Sequence, residues 1–363
     1  MKNNKNNNCN FPNLRFPEFQ EEWSETEIKN ILKIGSGRDY KHLETGNIPV
    51  FGTGGYMTSI NDFLYDGESV CIGRKGTINK PFYLKGKFWT VDTLFYTYSY
   101  KNIQPKFLFY IFEQINWLKY NEASGVPSLS KSTIEKILIA IPKKEEQDKI
   151  ATFLSLIDER IETQNKIIEE YKKLKNALAV FFFGTSVKYT SVGEICDVIM
   201  GQSPSSAAYN YVNNGLPLIQ GNLDISEGTT SPRMWTSEIT KQCEIGDIIL
   251  TVRAPVGVVA KSNMIACVGR GICAIKVKES KCSEYVYQYL QYFKNKWISI
   301  EQGSTFSAIS RDNILSISIP SITKRLTVAS HILALFDNKI NAEISFLKMY
   351  RSQKQFLLSR MFI

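Results

Sequence analysis

Ile157-Asp158-Glu159-Arg160-Ile161 returns 179 residues later as Phe336-Asp337-Asn338-Lys339-Ile340. At the same offset Leu154 meets Leu333, Leu156 meets Leu335, Tyr171 meets Tyr350 and Leu178 meets Leu357. Each copy follows an Ile-Pro that closes a similar run, ILIAIP ending at Pro142 and LSISIP ending at Pro320. Such a repeat bears on architecture before any single element does. Both copies read as long helices with a heptad seam. In the first, Leu154, Ile161, Ile168 and Lys175 take position a, and Ile150, Ile157, Gln164, Tyr171 and Leu178 take position d. In the second, Leu333, Ile340, Leu347 and Lys354 take a, and Ala329, Phe336, Glu343, Tyr350 and Leu357 take d. The polar interruptions coincide, Gln164 with Glu343 and Lys175 with Lys354. Shared interruptions argue for descent from one unit rather than for two unrelated coiled coils. Each helix is expected to run about 34 residues, or about 50 Å. If the two pair antiparallel, Gln164 and Glu343 face each other as a buried polar pair that fixes register at some cost in stability.

The segments between the helices repeat more weakly. Leu32-Lys33-Ile34-Gly35-Ser36-Gly37 resembles Val198-Ile199-Met200-Gly201-Gln202-Ser203, and Ile48-Pro49-Val50-Phe51-Gly52 resembles Leu216-Pro217-Leu218-Ile219-Gln220-Gly221. Gly67-Glu68-Ser69-Val70-Cys71-Ile72-Gly73-Arg74 matches Gly246-Asp247-Ile248-Ile249-Leu250-Thr251-Val252-Arg253, and both arginines run into a Gly-containing turn. An aromatic helix, PKFLFYIFEQINWLKY or SEYVYQYLQYFKNKW, precedes each Ile-Pro run. The β-branched and aromatic body with frequent Gly and Pro reads as mixed sheet with long loops, although alternation is imperfect.

The chain has 363 residues, enough for two domains of roughly 150 each plus connectors. No run of about 18 uncharged apolar residues spans a membrane. The polar head MKNNKNNNCN lacks the apolar stretch of a signal peptide, so the protein is expected in the cytoplasm. There its seven cysteines should be mostly free thiols in or near cores. With only His42 and His331 and no CxxC pair, zinc-site spacing is missing, and both histidines read as surface or interface residues. Net charge is +9, which favours a polyanionic partner. It is uneven: Pro320 to Ile363 holds seven basic against two acidic residues, and Pro142 to Phe183 holds eight of each. The remainder therefore shares only +4, and charge alone argues weakly for nucleic acid.

Catalytic motifs are missing. Gly86-Lys87 is followed by Phe88, so no P-loop forms, and Gly35-Ser36-Gly37 and Gly52-Thr53-Gly54-Gly55 do not complete GxGxxG, because Tyr40 and Met57 stand where the third glycine belongs. These glycines read better as turns. There is no amino-methyltransferase Pro-Pro-Tyr/Phe run, no Pro-Asp nuclease start, no GxSxG and no HExxH. What remains is a set of basic residues in predicted loops and strand ends: Arg38, Arg74, Lys75, Lys80, Arg233, Arg253 and Arg270. A rigidly held arginine can grip guanine O6/N7 or a phosphate. The plainer reading of each is a solvated side chain or a strand-end ion pair, and it is least apt for the repeated Arg74 and Arg253.

Taken in order, Pro12-Asn13-Leu14-Arg15-Phe16-Pro17-Glu18-Phe19 with Trp23, the two Gly-Asp/Glu-strand-Arg segments, and the two Ile-Pro-plus-long-helix segments resemble the specificity subunit of Type I restriction–modification systems over nearly the whole chain. The Glu145-Glu146-Gln147-Asp148-Lys149-Ile150-Ala151 start of the first helix is the most telling mark; the second copy departs from it as Thr323-Lys324-Arg325-Leu326-Thr327-Val328-Ala329. The resemblance implies an α+β fold: two mixed-sheet target-recognition domains in pseudo-two-fold arrangement, separated by two long antiparallel coiled-coil helices. The expected partition is a first recognition domain over 1–141, a central helix over 142–183, a second recognition domain over 184–319 and a distal helix over 320–363. It implies a non-catalytic chain whose domains each read one half of a bipartite site on double-stranded DNA. The implied partners are two methyltransferase subunits and restriction/translocase subunits, with S-adenosylmethionine, ATP and Mg²⁺ on those partners and no cofactor here. Two other readings stay open. A combined methyltransferase–specificity protein lacks room for its catalytic region, and a coiled-coil scaffold with two non-DNA ligand modules is separable by salt-dependent DNA binding. Phe181, Phe182, Phe183, Met361 and Phe362 near the helix ends are expected to be exposed and to limit solubility.

Overall fold

The computed structural model describes residues 11–185, 188–297 and 308–363; the Asn-rich head with Cys9 lies outside them. The chain forms two compact units. One takes the chain to Thr163 together with Leu347–Ile363, and the other is Gln164–Phe346. Each unit therefore holds a sheet domain and a piece of both long helices.

In the first unit a six-stranded sheet runs in the order Lys33–Ser36, Leu94–Tyr98, Tyr65–Gly73, Phe82–Thr90, Thr45–Gly52, Gly55–Ile60. All pairings are antiparallel except Val50 with Trp89 and Phe51 with Thr90, which makes the sheet mixed. Ser69 to Gly73 are all buried, which explains the poor alternation in this stretch. Val70 and Ile72 enter the main core against Phe107, Leu108 and Ile111, while Cys71 faces Phe88 and Leu94 on the other side. A strand covered on both faces loses the apolar–polar alternation that marks a half-buried one. The second unit repeats the device: Ile248 and Leu250 join one core and Ile249 another. Each unit also has a small antiparallel ribbon, Ser24–Glu27 with Leu138–Ile141 or Tyr189–Ser191 with Ser318–Pro320. Each has an aromatic helix, Pro105–Gln114 or Ser283–Tyr292. The first of these starts cleanly because Pro105 needs no N–H partner and the Gln104 side chain accepts from Phe107 N at 2.5 Å.

The long helices are Lys144–Gly184 and Lys324–Met361. The first, at 41 residues, is about 60 Å long, longer than its seam predicts. The extra turns at the helix ends have a cause. Phe183 is buried against Tyr285, Tyr289 and Tyr292, and Met361 is buried in the first unit's core, where Phe362 stacks on Phe107 at 5.3 Å. The expectation that these ends are exposed fails for Phe183 and Met361, and Phe182 is half-buried; only Phe181 stands mostly free.

Within each unit the two helix segments run antiparallel. In the second, Gln164 Nε2 donates to the Glu343 carboxylate and to Glu343 O, and Tyr171 meets Phe336 edge-on at 6.3 Å. Both polar residues are buried, and hydrogen bonds from Lys339 and then Gln164 hold the Glu343 carboxyl below its ordinary value. Leu154, Ile157, Ile168, Leu333, Ile340, Leu347 and Leu357 are buried, and Ile161, Tyr171, Leu178, Phe336 and Tyr350 half-buried. Replacing Gln164 and Glu343 together by Leu should raise the thermal midpoint, since apolar replacement of a buried polar pair stabilises by up to about 4 kcal/mol; a lower midpoint in calorimetry would contradict this.

The repeated lysines also find partners. In the second unit Lys175 Nζ lies 2.5 Å from Asp337 Oδ1 and 2.8 Å from Gln291 Oε1, and Gln288 Nε2 donates to Asp337 Oδ2 at 2.7 Å. In the first, Lys354 Nζ lies 2.8 Å from Asp158 Oδ1 and 2.8 Å from Glu113 Oε2, and Tyr110 Oη donates to Asp158 Oδ2 at 2.7 Å. Each lysine thus ties the opposite helix to the aromatic helix of its own unit.

The amino-terminal segment locks the start of the central helix. Arg15 forms a two-pronged ion pair with Glu146, both contacts 2.7 Å, and Gln147 Oε1 accepts from Gln104 N while its Nε2 donates to Asn102 O and Pro142 O. In the second unit Tyr285 Oη donates to Pro320 O at 2.5 Å. That donor serves the proline carbonyl that Gln147 serves in the first unit, which leaves position 326 free to be Leu326, buried in the core. The second copy's departure from the Glu-Glu-Gln start is compensated in this way.

Candidate nucleic-acid interface

Loops at one end of the first unit's sheet converge on Arg74. Its N–H donates to Thr93 O at 2.7 Å, its carbonyl accepts from Leu129 N at 2.9 Å, and Lys75 bridges Ser128. Arg38 is fixed beside the same turn: its N–H donates to Thr90 O at 2.9 Å and its carbonyl accepts from Trp89 Nε1 at 2.8 Å. This approach requires glycine just before it, since a Cβ on Gly37 would sit 2.0 Å from Val91 O. The hairpin of Thr45–Gly52 and Gly55–Ile60 ends nearby, with Gly76 facing Thr53, and exposes Tyr56 and Met57 at its tip. Arg74 and Lys75 line a cleft with Ser36, Phe95, Glu122 and Ser130. Hydrogen bonds from Thr133 and then Ser130 hold the Glu122 carboxyl below its ordinary value. Among the described residues the Arg74 guanidinium has only a long 3.4 Å contact to Asp92 O. Lys80 is exposed on the outgoing limb of the turn and does not line this cleft.

The second unit builds its counterpart from the matching segments. Val252 N donates to Gly271 O, Ile309 N donates to Val252 O at 3.0 Å, and Arg253 bridges Ala308 as Lys75 bridges Ser128. Thr251 Oγ1 donates to Pro255 O at 2.6 Å and accepts from Val258 N at 2.9 Å, which fixes the turn that follows Arg253. Arg270 is placed by its N–H, which donates to Ser203 Oγ at 3.1 Å. Gly201 repeats the requirement of Gly37, with a Cβ falling 2.2 Å from Gly269 O. The resulting cleft of about 610 Å³ gathers Arg253, Arg270, Ser203, Tyr209, Gln220 and Asn222, and among the described residues no acidic side chain lines it. Arg253 and Arg270 are exposed, and neither guanidinium pairs with a described carboxylate.

The structure therefore brings Arg74 and Lys75 together in one unit and Arg253 and Arg270 in the other, while Arg38 does not line the first unit's cleft. It sends Arg233 elsewhere, into an ion pair with Asp224 at 3.0 Å. Gln220, Asn222, Ser203, Tyr56 and Tyr209 were absent from the sequence-based set. The signal that marks two of these loops is the repeated Ile-Pro or Leu-Pro strand running into glycine at Gly52 and Gly221. His42 lies edge-on to Trp89, and His331 Nδ1 is 2.7 Å from Thr327 O; neither approaches these clefts. Exposed guanidinium and amide groups at the mouth of a polar cleft suit base edges and phosphates.

The long helices carry a second surface. Along Lys324–Met361, Val328, Ile332, Leu335 and Phe346 in the second unit and Met349 and Phe356 in the first are exposed. Their spacing of three, four or seven residues, or sums of these, makes a second apolar ladder beside the buried seam. On the central helix Ile167, Leu174 and Phe181 follow at intervals of seven and are also exposed. Among the described residues no helix is long and apolar enough to cross a membrane.

Residues 20–173 and 186–345 each match the family model described as the Type I restriction modification DNA specificity domain. A putative type I restriction enzyme MjaX specificity subunit of Methanocaldococcus jannaschii is 28% identical, over 90% of this chain and 90% of its own length. Among solved structures, the S subunit of a Type I restriction-modification system from M. genitalium aligns with a TM-score of 0.69 at 18% identity, covering 97% of this chain and 99% of that one. A chain from a study of complex assembly in the type I R-M system aligns with a TM-score of 0.56 at 19% identity, covering 93% and 97%.

Proposed function

The chain belongs to the DNA specificity family of Type I restriction–modification systems, and on that premise we propose that each sheet unit reads one half of a bipartite duplex site through its arginine-lined cleft. The observation that carries this is the matching placement of basic residues where the doubly covered strand of each unit ends. The N–H and carbonyl of Arg74 are bonded to Thr93 O and Leu129 N as those of Val252 are to Gly271 O and Ile309 N, so Lys75 and Arg253, which bridge Ser128 and Ala308, are counterparts, and Arg74, Lys75 and Arg253 all line clefts. A guanidinium fork that reaches guanine O6 and N7 together discriminates guanine from other bases, whereas one on a phosphate positions the duplex without reading it.

The chain performs no chemistry of its own in this reading. Two methyltransferase subunits dock on the long helices, and the exposed ladder of Val328, Ile332, Leu335 and Phe346 offers them an apolar face. They bring S-adenosylmethionine and methylate adenine. Restriction/translocase subunits join for cleavage and bring ATP and Mg²⁺. The complex works in the cytoplasm, where its duplex substrate lies. The recognition domains are 1–141 and 184–319, and 142–183 and 320–363 are the helices that bear the partners.

DNA binding by the complex reconstituted from this chain and its methyltransferase subunits should weaken linearly on a log–log plot against salt. Arg74→Ala and Arg253→Ala should each relax discrimination in a different half-site by about 1–3 kcal/mol. Binding that is absent, or insensitive to both salt and these changes, would favour a scaffold with non-DNA modules instead.

A further inference from the structure

Of the seven candidate basic residues, Arg233 alone is committed to a carboxylate among the described residues. Its Nε donates to Asp224 Oδ1 at 3.0 Å. Asp224 Oδ2 accepts from the backbone N–H of Gln220 at 2.8 Å and of Gly221 at 3.3 Å. The Asp224 side chain is only 4% exposed. Its N–H donates to Gly221 O at 3.1 Å and its carbonyl accepts from Ser231 N at 2.8 Å. One buried carboxylate therefore ties the Gln220–Gly221 backbone to the segment carrying Arg233. The loop so held delivers Gln220 and Asn222 to the Arg253–Arg270 cleft, where their side-chain amides bond no described residue.

We propose that Asp224 and Arg233 are positioning residues for a base-reading loop, Gln220-Gly221-Asn222, and that Arg233 acts through Asp224 rather than on DNA. This rests on the reading of the cleft as one half-site reader. The chemistry follows from the amide group. A Gln or Asn side chain pairs with adenine N6 and N7 through one donor and one acceptor at once, so it discriminates only when its backbone is held still. A carboxylate bonded to two successive N–H groups holds the loop at its origin. Arg233 neutralises that carboxylate, which would otherwise be buried without a counter-charge. The first unit holds its corresponding loop differently, as the tight hairpin tip between Gly52 and Gly55. Loss of the Asp224 tie should therefore be felt in one half-site only.

The test is the methylome of a host carrying the methyltransferase subunits with the wild-type chain, Asp224→Ala, Arg233→Ala, Arg233→Lys, Asn222→Ala or Arg253→Ala. Arg233→Ala and Asn222→Ala should make the motif degenerate in one half, the half also blurred by Arg253→Ala, with the other half unchanged. At the affected base the preference should fall by roughly 10- to 100-fold, and Arg233→Lys should retain most of it. Asp224→Ala should do the same or abolish methylation through loss of the fold. Arg233→Ala decides in that event, because its half-exposed side chain can be removed without unfolding the unit. The proposal is overturned if Arg233→Ala leaves both halves sharp, whether methylation is unchanged or lower at every site; the latter would mark a phosphate contact. A wild-type chain that directs no bipartite motif overturns the reading of the cleft itself, and this proposal with it.

Discussion

Asp337→Ala is expected to destabilise the protein by about 3 kcal/mol, and adding Lys175→Met should recover most of the loss. The Lys175 side chain is 13% exposed, and Asp337 is its one carboxylate partner among the hydrogen bonds and ion pairs described. Without Asp337 the ammonium keeps only the amide oxygen of Gln291, and a buried charge with no counter-charge is the costly case. The corresponding lysine of the first unit behaves oppositely, because Lys354 has both Asp158 and Glu113. For Lys175, burial is the largest influence and lowers its pKa despite Asp337. For Lys354 burial also acts to lower it, but the hydrogen bonds and charges of Asp158 and Glu113 together outweigh burial and the pKa is raised. The signs follow by linkage. Lys354 contributes stability that is complete below its unfolded pKa of 10.5 and lost as pH rises through its higher folded value. Lys175, lowered on folding, costs stability when charged at neutral pH, and the cost is relieved as pH climbs from its lowered value towards 10.5. Lys354→Met should therefore lower the thermal midpoint at pH 7, and Lys175→Met should leave it level or raise it. Calorimetry of the four variants checks both statements; equal losses for the two lysines would contradict them.

Leu335→Asp combined with Phe346→Asp should abolish assembly with the methyltransferase subunits while leaving the chain folded. Leu335 is 67% and Phe346 45% exposed, so neither contributes much to the core of its own unit. Each would contribute about 1.5–3 kcal/mol if covered by a partner, and a carboxylate there adds a desolvation cost. Together these imply an affinity at least ~100-fold weaker, and methylation should fall at all sites rather than in one half-site. Co-purification and genomic methylation are the readouts. Retained assembly would move the docking face elsewhere, with Ile167, Leu174 and Phe181 of the central helix the next face to change.

The long helices were legible because a heptad repeat is local: Leu154, Ile157, Leu333 and Leu357 announce a buried seam at fixed spacing. So was the facing of Gln164 and Glu343, since equal offsets in an antiparallel pair meet. The reason for Lys175 and Lys354 was not legible, because it lies in Gln288, Gln291 and Glu113 of aromatic helices distant in sequence. The strand limits around Tyr65–Gly73 and Ile248–Thr251 were blurred because both faces are covered and the period-2 signal vanishes. The outward ladder at Leu335 and Phe346 was overlooked since one seam already accounted for the apolar content. Of the candidate site, Arg74 and Arg253 stand out in the sequence as a repeated pair, but the backbone register makes Val252 the counterpart of Arg74 and Arg253 that of Lys75, a one-residue shift that sequence similarity does not reveal. Arg233 was grouped with them because a loop arginine shows no periodicity, and its partner Asp224, nine residues away, is identified only by the fold. Gln220 and Asn222 carry no charge, and nothing in their sequence context marks them as cleft residues.

The central claim is that this chain chooses the DNA sequence that its partners modify. The direct measurement is the methylome of a host carrying this gene with its methyltransferase gene, set against the same host with this gene deleted. A split motif with a fixed spacer is expected, methylated in the first and unmethylated in the second. An unchanged methylome beside a working methyltransferase subunit would contradict it.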